Sequence, residues 1–159
     1  MKFDEIDQKI LDILQSNSNI TNAQLASDAG ISPSSMIERV KRLENANVIK
    51  NYVALVDHEK VGRGTIVMVS VSLSAHILTS VDGFKKKISE LDEVLECYHV
   101  AGEEDFILKV AVKDIKEYEY FVLNKLNKIE GINKIKTTFV LSTVKYKTKF
   151  HVNLPNEDD

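Results

Sequence analysis

Apolar residues recur at helical spacing three times within the first 45 positions, and residues that start and stop helices fill the gaps between the three series. Ile6, Ile10, Ile13 and Leu14 form the first stripe and predict a helix over 4–16. Thr21 and Gln24 have capping-box spacing ahead of Leu25 and Ala26, and Gly30 stands where a left-handed C-terminal turn is wanted. Ser32 can then accept a backbone N–H as N-cap, and Pro33 loses nothing at a first helical position, whose N–H has no partner anyway. Met36, Val40 and Leu43 follow on one face. Two short helices joined by about three residues that include a glycine make a helix-turn-helix unit. The first helix closes a three-helix core over Leu25 and Leu43.

The period then changes. Residues 48–56 have strand composition, and Asn47 and Asn51 tolerate left-handed turns, which predicts a winged variant. Gly62 and Gly64 flank Arg63, so a boundary is expected within 57–64, dividing a domain at 1–60 from one at 61–159. In the second domain, 66–73 reads as a strand, and Val81, Phe84, Ile88 and Leu91 as a helix. Residues 94–101 and 105–112 read as strands joined by a hairpin turn at Gly102, Glu103 and Glu104. Asp114 and Glu117 cap a helix that Gly131 ends, and 132–144 returns as a long strand.

This order, β-α-β-β-α-β, is the ferredoxin-like arrangement, with both helices on one face of an antiparallel sheet; the whole chain is of the α+β class. Apolar residues occupy both alternating parities in 66–73 and 107–112, so neither sheet face should be fully solvated. The face without helices is expected to meet a second subunit, giving a homodimer.

Polar chemistry on the third helix adds a function. Opposite its apolar stripe stand Ser34, Ser35, Glu38, Arg39 and Arg42, with Lys41 and Lys50 adding cations in and just beyond the helix. Small hydrogen-bonding side chains at the N-terminal end, followed by arginine forks, are what a helix entering the major groove of double-stranded DNA needs. The net charge of −3 runs against this, because DNA binders are often basic overall. Distribution outweighs the sum: many carboxylates lie in the first helix or in Glu157, Asp158 and Asp159, away from the reading face. Composition is otherwise that of an ordinary globular protein, 43% hydrophobic and 28% charged. No apolar run reaches membrane-spanning length, the first residues have no signal-peptide character, and the single cysteine makes no internal disulfide, so a cytoplasmic protein is expected.

The chain resembles the Lrp/AsnC family, the feast/famine regulators of bacteria and archaea, over nearly its whole length. The resemblance is carried in order by Leu11 to Leu14, by Ile31, Ser32 and Pro33, by Glu38 to Glu44, and by Val48, Ile49 and Tyr52. In the second domain it continues through Glu96, Cys97, Tyr98, Val100, Gly102, Asp105 and Phe106 to Gly131, Ile132, Thr137, Val140 and Leu141. It implies a DNA-binding transcription regulator whose C-terminal domain senses an amino acid and builds dimers, often octamers. It also implies an effector site at Gly102, Asp105 and Thr137, with Glu103 and Glu104 close by. The chain departs from the family pattern in two places: Glu103 and Glu104 stand where many relatives have Asp and then an aromatic, and Ile135 stands where Thr is common.

Other chemistries find little support. Neither a Gly-rich phosphate loop nor a nucleophile with a partnered base occurs, so no catalytic residue is assigned. Cys97 and His99 alternate onto one face of a strand, but no further ligand lies at suitable spacing, and no metal or cofactor is expected beyond an amino-acid effector. A metabolite-sensing oligomeric module without a transcriptional role is the competing reading; it would not need the face from Ser34 to Arg42.

Overall fold

The computed structural model describes residues 2–74 and 80–153, so the acidic Glu157, Asp158 and Asp159 lie outside the described residues. It divides into two compact units, one made of the chain up to Leu55 together with the segment from Lys145 onward, the other of Val56–Val144.

In the first unit, α1 (Glu5–Ser16), α2 (Asn22–Ala29) and α3 (Pro33–Asn45) begin and end where their caps demand. Asp4 opens α1 with a full capping box, its carboxylate accepting from the Asp7 amide at 2.8 Å while the Asp7 carboxylate accepts from the Asp4 amide at 3.3 Å. Thr21 caps α2, and Gly30 closes it at φ +78°, a left-handed conformation that only glycine adopts without strain. Ile10, Leu25, Met36 and Leu43 are fully buried at the centre, with Val48, Ile49 and Val152 packed around them. Burying each such side chain contributes about 1.5–3 kcal/mol, which is how three short helices hold together.

The second unit is a four-stranded antiparallel sheet of β1 (Thr65–Leu73), β2 (Val94–His99), β3 (Phe106–Val112) and β4 (Ile132–Phe139), in the order β2-β3-β1-β4. Helices α4 (Ser80–Ser89) and α5 (Ile115–Asn124) cover one face. Val67, Val69 and Val71 alternate onto that face and pack with Phe84, Phe106, Leu108 and Phe121. The α5 segment continues as a 3₁₀ turn at Leu126–Lys128, and Gly131 turns the chain into β4 at φ +91°. The chain is thus α+β, a helix-turn-helix unit followed by a βαββαβ sheet.

Three boundaries differ from expectation. Residues 48–56 form no strand: Tyr52, Val53, Leu55 and Val56 are exposed, and a strand needs a neighbouring ladder for its amides, which this segment lacks. β4 stops at Phe139 instead of 144, because its partner β1 begins at Thr65 and the Val140 amide, donating to Ile66 O at 3.0 Å, uses the last acceptor of that edge. Residues from Lys145 onward, expected in the second domain, belong to the first unit, where Lys149 pairs with Asp12 at 3.1 Å and Phe150 exchanges two hydrogen bonds with Gln15.

Candidate DNA-reading helix and effector turn

The turn into α3 is built entirely by local bonds. Gly30 and Ile31 amides both donate to Ala26 O, at 2.9 and 3.0 Å, and the Ser32 hydroxyl accepts the Ser35 amide at 3.3 Å. Met36, Val40 and Leu43 are buried, which fixes the roll of α3 and leaves Ser34, Ile37, Glu38, Lys41 and Asn45 exposed. Lys50 is exposed beyond the helix, and Ser35 is half-buried.

Arg42 is exposed as well and Arg39 is half-buried, but both are aimed differently. Their guanidinium groups turn toward α1, where Arg39 Nη1 reaches both Asp4 oxygens at 2.9 and 2.7 Å and Asp7 Oδ1 at 2.8 Å. Arg42 Nη2 bonds both oxygens of Asp7. The Asp7 side chain is 1% exposed, that of Arg39 25% and that of Arg42 50%. The Asp7 amide, and secondly the Arg39 guanidinium, hold the Asp4 carboxyl below its usual range, while Asp4 raises Arg39 in return. Of the two arginines, Arg42 alone keeps half its side chain in solvent. Tyr52, just past α3, donates to Glu44 at 2.9 Å, and burial followed by that carboxylate pushes it up to about 12.

The turn between β2 and β3 is pinned at both ends. Val100 donates to Asp105 O at 2.9 Å, the Asp105 amide donates to Val71 O at 3.0 Å, and Asp105 Oδ2 accepts the Leu73 amide at 2.7 Å. Asp105 therefore staples the start of β3 to the bulged end of β1. Within the turn, among the described residues, the amides of Gly102, Glu103 and Glu104 make no hydrogen bond, and no heavy atom lies within 4 Å of where a Gly102 side chain would begin. Glu104 pairs with Lys136 of β4 at 3.7 Å, and Glu103 projects into solvent. Free amides, an unpaired carboxylate and a lysine side by side can hold a zwitterion by both its charges.

Thr137 is not brought to this turn. Successive strand residues face opposite ways, so Thr137 points to the helix-covered side while Lys136 points to the bare one. Its hydroxyl shares a 2.6 Å hydrogen bond with Tyr118 of α5, whose phenol is pushed up by burial and whose ring meets Phe139 edge-on at 5.3 Å. Gly102, Glu103, Glu104 and Asp105 are thus one cluster; Lys136 joins them, and Thr137 belongs to the packing beneath α5. Strand alternation is the signal that distinguishes these two neighbours. Asp4 and Asp7 carried no such signal, because their partners lie more than 30 residues away. Cys97 and His99 share the helix-covered side of β2, where the His99 ring stacks on Phe106 at 4.7 Å. Among the described residues no group of three or more His, Cys, Asp or Glu side chains is placed to hold a metal ion, and no helix is long and apolar enough to cross a membrane.

Comparison with known proteins covers both units. Residues 3–50 match the winged helix-turn-helix DNA-binding model, and residues 66–150 match the Lrp/AsnC ligand binding domain. The leucine-responsive regulatory protein of Haemophilus influenzae is 38% identical over 94% of this chain and 89% of its own length. The transcriptional regulator AzlB of Bacillus subtilis is 33% identical over 89% of this chain and 90% of its own length. Among solved structures, a transcriptional regulator from Neisseria meningitidis in complex with L-Met superposes with a TM-score of 0.89 at 32% identity, covering 93% of this chain and 96% of that one.

Proposed function

Since the chain belongs to the Lrp/AsnC family of transcriptional regulators, not of enzymes, with a DNA-binding helix-turn-helix half and an amino-acid effector half, we propose how its own residues divide that work. A free amino acid binds at the turn from Gly102 to Asp105, its carboxylate on the free amides and Lys136, its ammonium on Glu103. The observation that carries this is the row of unbonded amides beside an unpaired carboxylate. The L-Met bound to the Neisseria relative fits the same ligand class. Asp105 keeps the turn in shape through Leu73, and Glu104 pairs with Lys136.

On the DNA side, α3 enters the major groove with Ser34, Glu38, Lys41 and Asn45 toward the bases and backbone, with Lys50 following. The protein acts as a homodimer in the cytoplasm, octamers being a further assembly of those dimers. The face without helices favours this, since the half-exposed Ile66, Met68 and Ile107 stand on it beside Lys109.

Calorimetry across the twenty amino acids tests the effector site. At least one should bind with a dissociation constant below about millimolar, worth about 4 kcal/mol, and Glu103→Gln and Lys136→Ala should each weaken it. If no amino acid binds, or if both variants bind as the wild type does, the site is misassigned while the DNA-binding role stands.

A further inference from the structure

Only Asp7 and Glu93 are buried charged side chains among the described residues, and Asp7 lies directly under the reading helix. A buried carboxylate costs several kcal/mol in lost hydration, and its attraction to a cation offsets that cost only when geometry and hydrogen bonding are good. Apolar packing would hold α1 to α3 without this cost. What a buried charge adds is direction.

The geometry points to Asp7 as a positioning residue for DNA binding, and this rests on α3 being the reading helix. Asp7 is held rigidly, at the third position of α1 in a reciprocal capping box with Asp4. It grips Arg39 and Arg42, three residues apart on α3, so the roll of α3 against α1 is fixed by two guanidinium groups as well as by the core. Arg39 is the brace: its Nη1 serves three carboxylate oxygens, and little of it reaches solvent. Arg42 is held through one nitrogen only. Its bonds to Asp7 both leave from Nη2, while Nε and Nη1 have no partner among the described residues, and half of the side chain is exposed. A guanidinium fixed through Nη2 presents its Nε and Nη1 donors and its charge already ordered, within reach of a phosphate. The ordering cost is met on folding, before DNA arrives.

This sets a sign opposite to simple electrostatics. Removing a negative charge near DNA should strengthen binding; removing Asp7 should weaken it, because Arg42 then collapses or wanders. The test uses the full chain and a duplex that the wild-type protein selects from a random library. Asp7→Asn keeps the volume and one oxygen acceptor. With each protein verified as folded by its cooperative melt, D7N should bind about three- to tenfold more weakly, and R42A should also weaken binding and lower the salt slope by about one. The double variant should bind no more weakly than R42A alone, since Asp7 acts through Arg42. R42K should keep the slope but not the affinity, because lysine supplies charge without a guanidinium that Asp7 can hold while other donors stay free.

Binding by D7N that equals or exceeds the wild type overturns the role. So does an equal loss from D7N in the R42A background, which would mean that Asp7 acts on the fold alone. Should D7N fail to fold, R42A decides: unchanged affinity and salt slope refute the presented arginine. A wild-type chain that selects no duplex would remove the reading-helix assignment itself, a different failure that the selection step reveals first.

Discussion

At the scale of single residues, the two arginines of α3 have unequal jobs although they occupy one face in sequence. Arg39→Ala removes three charge-assisted hydrogen bonds and leaves Asp7 with Arg42 as its remaining cation. A hydrogen bond to a charged group is worth about 1.5–3 kcal/mol when partly buried, so R39A should melt several degrees lower. Circular dichroism melts check this, and an unchanged midpoint would show that Arg39 braces nothing. Acid should act on Asp4 in this cluster and on Glu93 in the sheet unit. Asp4 is held below its ordinary 3.8 and Glu93, against the effect of its burial, below 4.5 through Lys125. A carboxylate whose folded value is depressed stabilises the fold above its unfolded value and loses that contribution as pH falls through the folded one. Stability should therefore decline below about pH 4.5, and Glu93→Gln should flatten that decline; equal acid sensitivity in the variant would exclude Glu93 as a source. The polar stripe of α3 was readable from spacing, and so was its basic character. That Arg39 turns inward was not, since helical periodicity assigns a face to a side chain without naming what that face meets.

Among the elements, the extended segment after β4 departs most from its sequence reading. Residues 132–144 have the β-branched composition of a strand throughout, and the pattern carries no mark of where its partner ends. The ladder stops because β1 starts at Thr65, a fact of register and not of propensity. Beyond it the chain straps α1: Gln15 donates to and accepts from the Phe150 backbone, Gln8 donates to Val152 O at 2.8 Å, and Val152 packs on the helical core. Removing residues from Lys145 onward should lower the stability of the helix-turn-helix unit by about 1–3 kcal/mol, one buried aliphatic side chain with a few partly exposed hydrogen bonds, and leave the sheet untouched. Amide exchange resolves the two units separately. Faster exchange in α1 with unchanged β1 and β3 is the expected outcome, and uniform protection in α1 would show that the strap is not needed. By contrast, the caps of α1, α2, α3 and α5 stand at or beside the positions their sequences mark, because capping is local chemistry.

For the whole molecule, two covalent connections join the units, the chain entering the sheet through 56–64 and leaving it through 140–144. Both connections carry large exposed apolar side chains, Val56 and Val61 on one, Leu141 at 98% and Val144 at 97% exposure on the other. Together with the half-exposed Ile66, Met68 and Ile107 on the sheet face without helices, they are apolar side chains that a second subunit would cover. A two-fold dimer buries such a surface once on each subunit, and it places two reading helices on half-sites one helical turn, or a multiple of one turn, apart. Met68→Glu introduces a charge at the centre of the bare face, on a strand whose other side is the intact Val67, Val69 and Val71 core, so the fold should survive while pairing fails. Sedimentation equilibrium at micromolar concentration should then find the wild type as a dimer or larger and M68E as a monomer. The monomer offers half the cationic contacts, so the slope of log affinity against log salt should fall to about half. A wild type that sediments as a monomer, or an M68E that stays paired, would move the subunit interface off the bare face of the sheet.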